Sequence, residues 1–202
     1  SRPTMVGVPH PQGAIFSKGQ PIVAHAQSIA VDHGGDGGPG TPPHLLHHGA
    51  ADSLVVHFAQ QKIARELSDD VWVVAPQEEQ SGAARALTLA HPIRMRQYDE
   101  RRFAVTGTPS DAVLMGINKV LGGEKPDLIL SGVNNGQNLA EDVTVSGTIA
   151  GAFQGMSMGV PSVALSLSRL ARDQARWETP EAHGAKIVKM LLEARWPENV
   201  VM

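Results

Sequence analysis

The sequence of 202 residues contains no cysteine, which excludes disulfide bonds and thiolate metal sites. The chain also has no excess of positive charge. Its formal net charge is −3, which gives no sign of a basic surface that would bind a nucleic acid polymer or a membrane. No apolar run reaches the roughly 18 residues of a transmembrane helix, and no signal-peptide pattern opens the chain. These absences predict a soluble protein of the cytoplasm.

Charge is also scarce at the start of the chain. Residues 1–50 hold four of the 37 charged residues (17 basic and 20 acidic). The stretch "DHGGDGGPGTPPHLLHHG" has the glycine and proline density of a loop. We therefore expect residues 1–50 to be an atypical, poorly ordered segment that packs little against the core, with at most one strand near "QSIAV". The main domain is predicted to be residues 51–202.

From residue 51 the chain alternates between strand-like and helix-like segments. "VWVVAP", "PDLILSG" and "PSVALSL" are short continuous apolar runs, typical of strands buried on both faces. "PEAHGAKIVKMLLEAR" has the pattern of an amphipathic helix, and residues 86–106 resemble antiparallel strands. This alternation predicts an α/β fold: a largely parallel, Rossmann-like sheet with helices on both faces and a small antiparallel hairpin region.

The octapeptide "SGVNNGQN" (Ser131 to Asn138) directly follows the apolar run "DLIL". Asparagine and glycine tolerate left-handed backbone conformations, so a turn is one interpretation. A ligand site is the other, because open α/β sheets bind ligands just beyond the carboxyl ends of their strands. The octapeptide alone leaves both open.

Five segments in order resemble the signature blocks of the SurE family: "VVAPQEEQSGAARALTL", "VTGTPSDAV", "PDLILSGVNNGQN", "VSGTIAGAFQG" and "GVPSVALSL". The resemblance runs from about Ile63 to Met202. It implies a Rossmann-like core and the activity of a metal-dependent 5'-nucleotidase, which hydrolyses nucleoside monophosphates to nucleoside and phosphate.

The resemblance also implies site residues. Ser81 and Asn134 match two metal ligands of the family, and their hydroxyl and amide oxygens are hard donors suited to Mg²⁺ or Mn²⁺. Ser146, Gly147 and Thr148 match the phosphate-side loop, where free backbone N–H groups at a helix start can bind an anion. The competing interpretations are an ordinary loop serine at 81 and a plain helix cap at 146–148.

Five further residues are given weaker or structural roles. Asn138 is expected to help line the pocket. A structural role is favoured for the four residues of the "GTPSD" block that shape a loop and cap the following helix: Gly107, Thr108, Pro109 and Asp111.

The sequence departs from the family at its first motif, an Asn-Asp-Asp-Gly whose acidic pair supplies metal ligands. The expected position near residues 48–51 reads "HGAA". The pair Asp69–Asp70 precedes a predicted strand and so belongs to the opposite edge of the sheet. Asp32 and Asp36 follow a possible strand and are alternative metal ligands, although two solvated loop aspartates are the simpler interpretation.

Family members continue past the final "ENVVM" into a further strand and an arm that exchanges between subunits. We therefore expect a SurE-like domain truncated at its C-terminus, and a homodimer or homotetramer for the complete protein. The predicted function is hydrolysis of nucleoside 5'-monophosphates with a divalent metal ion. The alternative is a catalytically impaired nucleotide- or phosphate-binding remnant that lacks the acidic pair.

Overall fold

The computed structural model describes residues 22–25, 59–168, 175–194 and 201. The strands are β1 (Ile22–His25), β2 (Val71–Pro76), β3 (Met95–Asp99), β4 (Arg102–Val105), β5 (Leu128–Asn135) and β6 (Ser162–Leu167). The helices are α1 (residues 59–67), α2 (Pro109–Met115, continued by a π-helical turn, Gly116–Val120), α3 (Asp142–Val145), α4 (Gly147–Ser157) and α5 (Glu178–Glu193). No helix in these ranges is long and apolar enough to cross a bilayer.

The six strands form one sheet in the order β3-β4-β2-β1-β5-β6. All neighbouring pairs are parallel except β3 and β4, which are antiparallel. The predicted α/β fold with a largely parallel sheet and one antiparallel region is therefore confirmed.

Both faces of the sheet are covered by helices. On one face, Ile63 of α1 and Val188 of α5 are buried in a cluster with Leu128 and Leu130 of β5. On the other face, Ile129 of β5 packs in a second cluster with residues of α2 and its π-helical turn. Neighbouring residues of β5 thus point to opposite cores, which explains why this strand is apolar throughout rather than alternating.

The antiparallel region is smaller than residues 86–106. "ALTL" (86–89) forms no strand, and only β3 and β4 pair. The reason is a buried carboxylate: Asp111 accepts hydrogen bonds from the backbone N–H of Thr88 at 3.1 Å and from its hydroxyl at 2.6 Å. This contact packs residues 86–89 against the start of α2 instead of against a strand.

Helix α2 begins as its sequence predicts. The Thr108 hydroxyl accepts from the N–H of Asp111 at 3.2 Å, and the Asp111 carboxylate accepts from the N–H of Thr108 at 2.9 Å. Pro109 occupies the first turn. Both halves of a capping box are therefore present, and the structural role predicted for these residues is confirmed.

Strand β1 is the main surprise of the fold. Residues 22–25 lie at the centre of the sheet, between β2 and β5. For these four residues the expectation of little packing is wrong, and the strand lies before "QSIAV" rather than within it. Three of the four residues of "IVAH" are apolar, which suits a strand that has parallel neighbours on both sides. The division of the chain at residue 50 stays a prediction.

Candidate functional site at the carboxyl edge of the sheet

The carboxyl ends of β2, β4, β5 and β6 lie along one edge, because these strands run parallel. Ligands in open α/β sheets bind at this edge. The loop with Ser81 follows β2, Thr108 follows β4, and Asn134 lies in β5. The predicted site residues are thus carried by neighbouring segments of the same edge.

Strand β5 continues through the asparagines, so "SGVNNGQN" is not a turn from its first residue. Ser131 lies opposite Ala164 of β6, whereas Asn134 lies opposite Ser166. Three steps along β5 therefore match two along β6, and β5 carries a bulge of one residue. Bulges of this kind redirect side chains and are frequent beside functional sites.

The bulge reverses which face the later residues of β5 meet. If side chains alternated strictly along β5, residue 133 would lie on the same face of the sheet as Ile129. Val133 instead is buried on the other face, in the cluster with α1 and α5. By the same alternation Asn134 then lies toward α4, on the face of Ser131. Gly132 makes this possible: its φ is +116°, and a Cβ there would collide with the carbonyl oxygen of Leu165.

The start of α4 lies beside β5. Ser146 caps the helix by accepting from the N–H of Ile149 at 3.2 Å. Ser131 of β5 donates its hydroxyl to the carbonyl of Thr148 at 2.6 Å. Thr148 is 2% exposed, and its Oγ1 forms no hydrogen bond with any described residue. A buried hydroxyl without a partner is costly in a folded protein, which marks this position.

The loop after β2 packs against the same helix start. A Cβ at Gly147 would lie 3.2 Å from the carbonyl oxygen of Gln80 and 2.9 Å from Cγ of Pro109. The N–H of Ala84 donates to the carbonyl of Val145 at 3.0 Å. Gly147 therefore permits a close junction between the Ser81 loop, the start of α2 and the start of α4.

Ser81 itself is exposed and donates its hydroxyl to Oε1 of Glu79 at 2.9 Å. Glu79 is not among the site residues predicted from sequence, and its position two residues before Ser81 is only a weak signal in a polar loop. Asn134 donates its Nδ2 to the carbonyl of Gly136 at 2.9 Å, which leaves Oδ1 on the other side of the amide. Asn138 donates to the hydroxyl of Ser166 at 2.7 Å and so is attached to β6.

The predicted ligand atoms are of the type that a hard divalent ion binds, but there are too few of them. Ser81 and Asn134 supply a hydroxyl and an amide oxygen. Within the described residues, no group of three histidines or carboxylates could hold a metal. Asp32 and Asp36, the alternative ligands from the sequence, lie outside the described residues. The two oxygens alone would be an incomplete set of ligands for such an ion.

Polar side-chain atoms that are buried without a partner concentrate at this edge. Within the described residues there are four, and three lie here: Ser110 Oγ in the first turn of α2, Asn135 Oδ1 in β5 and Thr148 Oγ1 in α4. Native proteins leave few such atoms, and those they leave call for an explanation such as a ligand.

Comparison with known proteins identifies the family of this chain. Residues 49–202 match the family model described as "Survival protein SurE". The chain belongs to the SurE family.

Curated relatives carry the same family name. The "5'-nucleotidase SurE" of Caulobacter vibrioides is 60% identical over 147 residues, which cover 71% of this chain and 56% of the relative. That of Phenylobacterium zucineum is 54% identical over 152 residues, which cover 75% of this chain and 58% of the relative. The chain thus spans a little more than half the length of these relatives.

A solved structure shares the fold. The SurE protein from Aquifex aeolicus is 32% identical and superposes with a TM-score of 0.69, covering 88% of this chain and 62% of that protein. The Rossmann-like α/β assignment from sequence is confirmed by this similarity.

Proposed function

We propose that this chain carries the phosphate-binding part of a 5'-nucleotidase that hydrolyses nucleoside 5'-monophosphates to nucleoside and phosphate. The relatives named 5'-nucleotidase support this activity. They do not favour the alternative of a catalytically impaired binding remnant. The proposal extends to the complete protein, because the chain spans only part of its relatives' length.

One observation carries the proposal: the buried, unpartnered hydroxyl of Thr148 at the start of α4. The first N–H groups of a helix have no partner inside it, and the helix dipole places partial positive charge there. Gly147 and Thr148 would direct their N–H groups, and Thr148 its hydroxyl, at the phosphoryl oxygens. Since Ser146 accepts the cap bond with its oxygen, its own proton stays available for the same anion.

Ser81 and Asn134 are the residues proposed to hold a divalent ion, with Mg²⁺ or Mn²⁺ favoured by their hard oxygen donors. When bound, the ion would stabilise negative charge on the phosphoryl group as a Lewis acid. Glu79, hydrogen-bonded to Ser81, is the described carboxylate nearest in sequence to this pair. Asn138 is proposed to line the nucleotide pocket from the β6 side.

The test is release of inorganic phosphate from AMP and GMP by the purified chain, with Mg²⁺ or Mn²⁺ and with a chelator. We expect release that depends on the metal. Asn134→Ala should lower it at least tenfold, roughly the effect of losing one metal-site contact. Asn118→Ala, at an exposed asparagine bonded to Leu114 in the α2 region, is the matched control. No release from any nucleoside monophosphate would contradict the proposal for this chain.

The complete protein is proposed to be a homodimer or homotetramer. The Ala84–Val145 hydrogen bond joins the loop after β2 to helix α3. Five large apolar side chains are exposed on these two segments and the residues beside them: Leu87, Leu89, Leu139, Val143 and Val145. Apolar surface of this kind supports association between subunits. Light scattering of the full-length protein would test it, and a monomer at all concentrations would contradict it. A cytoplasmic location stays a proposal, to be tested by cell fractionation.

A further inference from the structure

A pocket of about 180 Å³ opens at the carboxyl ends of β2 and β4, beside the Ser81 loop. Whole small-molecule sites usually enclose roughly 300 Å³ or more, so this pocket suits one part of a larger ligand. Among the described residues that line it, none is basic, and Glu78 is acidic. The pocket is therefore unsuited to a phosphate and suited to an uncharged polar group.

The lining side chains divide into two sets. Three threonine hydroxyls already serve the fold: Thr88 bonds to Asp111, Thr106 accepts from the N–H of Arg94, and Thr108 donates to the carbonyl of Ala86. The other polar side chains are two carboxamides and a carboxylate, which form no hydrogen bond with described residues: Gln77, Glu78 and Gln80. These three groups are available to a ligand.

The pocket adjoins the start of α4 on two sides. Gln80, one of its lining residues, places its carbonyl oxygen 3.2 Å from the Cβ position of Gly147. Thr108, another lining residue, precedes Pro109, whose Cγ lies 2.9 Å from the same position. A molecule with its phosphate at the start of α4 would thus have this pocket beside it, next to the loop that follows β2.

We propose that this pocket binds the base of the nucleotide and that Glu78, with Gln77 and Gln80, selects bases that carry an amino group. The inference rests on the proposed function for the position of the phosphate. A carboxylate only accepts hydrogen bonds, so it favours the exocyclic amine of adenine, guanine or cytosine over the carbonyl oxygens of uracil. The carboxamides both donate and accept, and they fit the remaining base edge.

The test compares kcat/KM for AMP, CMP and UMP with that for ribose 5-phosphate, which has no base. The wild type should prefer AMP and CMP to UMP. Glu78→Gln should reduce the AMP-to-UMP ratio about three- to tenfold, the effect of one charge-assisted hydrogen bond at a partly exposed site. Glu100→Gln, which removes an exposed carboxylate in the β3–β4 turn, is the matched control and should leave the ratio unchanged.

A second measurement does not need turnover. Calorimetric titration should show adenosine binding more tightly than uridine, with the difference reduced in Glu78→Gln. If no substrate releases phosphate, the proposed function fails, while this titration still decides the inference. Equal binding of adenosine and uridine by the wild type, or a difference that Glu78→Gln leaves intact, would overturn the inference.

Discussion

At the amino ends of β2 and β4, charged side chains are neutralised by close neighbours. Arg101 forms an ion pair with Asp70 and stacks on Trp72, 5.5 Å from the ring centre, and Arg102 pairs with Asp99. At the carboxyl ends, the hydroxyl of Thr148 is buried without a partner, and the carboxylate of Glu78 meets no cation among the described residues. Both edges are polar, but three of the four buried side-chain atoms without a partner among the described residues lie at the carboxyl edge; the fourth is the hydroxyl of Tyr98 on β3.

The difference separates residues that hold the fold together from residues that are available to a ligand. Charged groups near a surface gain little from pairing, and the amino edge shows such ordinary pairs. Leaving a hydroxyl buried and unpaired costs roughly 1–3 kcal/mol, and such a cost persists where binding requires it. The comparison therefore supports the proposal that ligands bind at the carboxyl edge.

The largest effect is expected at the bulge that shapes the carboxyl edge. Gly132→Ala should lower the free energy of unfolding by about 3 kcal/mol or more, because the added Cβ collides with the backbone at Leu165 and the residue has a positive φ. Gly122→Ala is the control: its φ is +65° but its Cβ would meet open space, so roughly 1 kcal/mol is expected. Urea unfolding measures both, and equal losses would contradict the role given to the bulge.

A smaller, pH-dependent effect is expected at the amino edge. Burial acts to raise the pKa of Asp99, but hydrogen bonds from the Arg101 backbone and the Arg102 guanidinium outweigh it, so this pKa is lowered. The stability from the pair is therefore present above the unfolded-state pKa and lost as pH falls through the folded one. Arg102→Ala should cost at most about 1 kcal/mol at neutral pH, since both side chains are largely exposed.

The same variant should leave phosphate release unchanged, because Arg102 belongs to the opposite edge from the site. Arg96→Ala, on the same hairpin but stacked on Tyr98, is the control whose cost should not depend on acid pH. Unfolding curves at several pH values decide this. A cost for Arg102→Ala that persists below the pKa of Asp99 would show that the pair is not its source.

Local features of this fold could be predicted from sequence because they depend on neighbouring residues. The buried strands at β2, β5 and β6 and the capping box of α2 follow from apolar runs and from Thr108 and Asp111. The bulge at Gly132 could not be predicted, because it depends on how β5 pairs with β6. The central position of residues 22–25 depends on two distant strands in the same way.

The candidate site was predictable to a similar extent. Ser146 and Thr148 could be chosen as candidates because they lie at a predicted helix start within a segment that resembles a family block. The pocket with Glu78 was missed, because its walls come from the ends of two strands and a loop that meet only in the folded chain. Glu79 was missed although it lies two residues from Ser81, since a carboxylate in a polar loop is common in any sequence.

The most direct test of the central claim is to measure two properties of Thr148→Val: its affinity for inorganic phosphate and AMP, and its stability. Valine keeps the shape of threonine and removes the unpaired hydroxyl. Affinity should fall about tenfold, while the free energy of unfolding stays the same or rises. Thr144→Val, at an exposed hydroxyl that bonds to Glu141, should leave affinity unchanged. Unchanged affinity in Thr148→Val, together with a loss of stability, would contradict the assignment of phosphate binding to the start of α4.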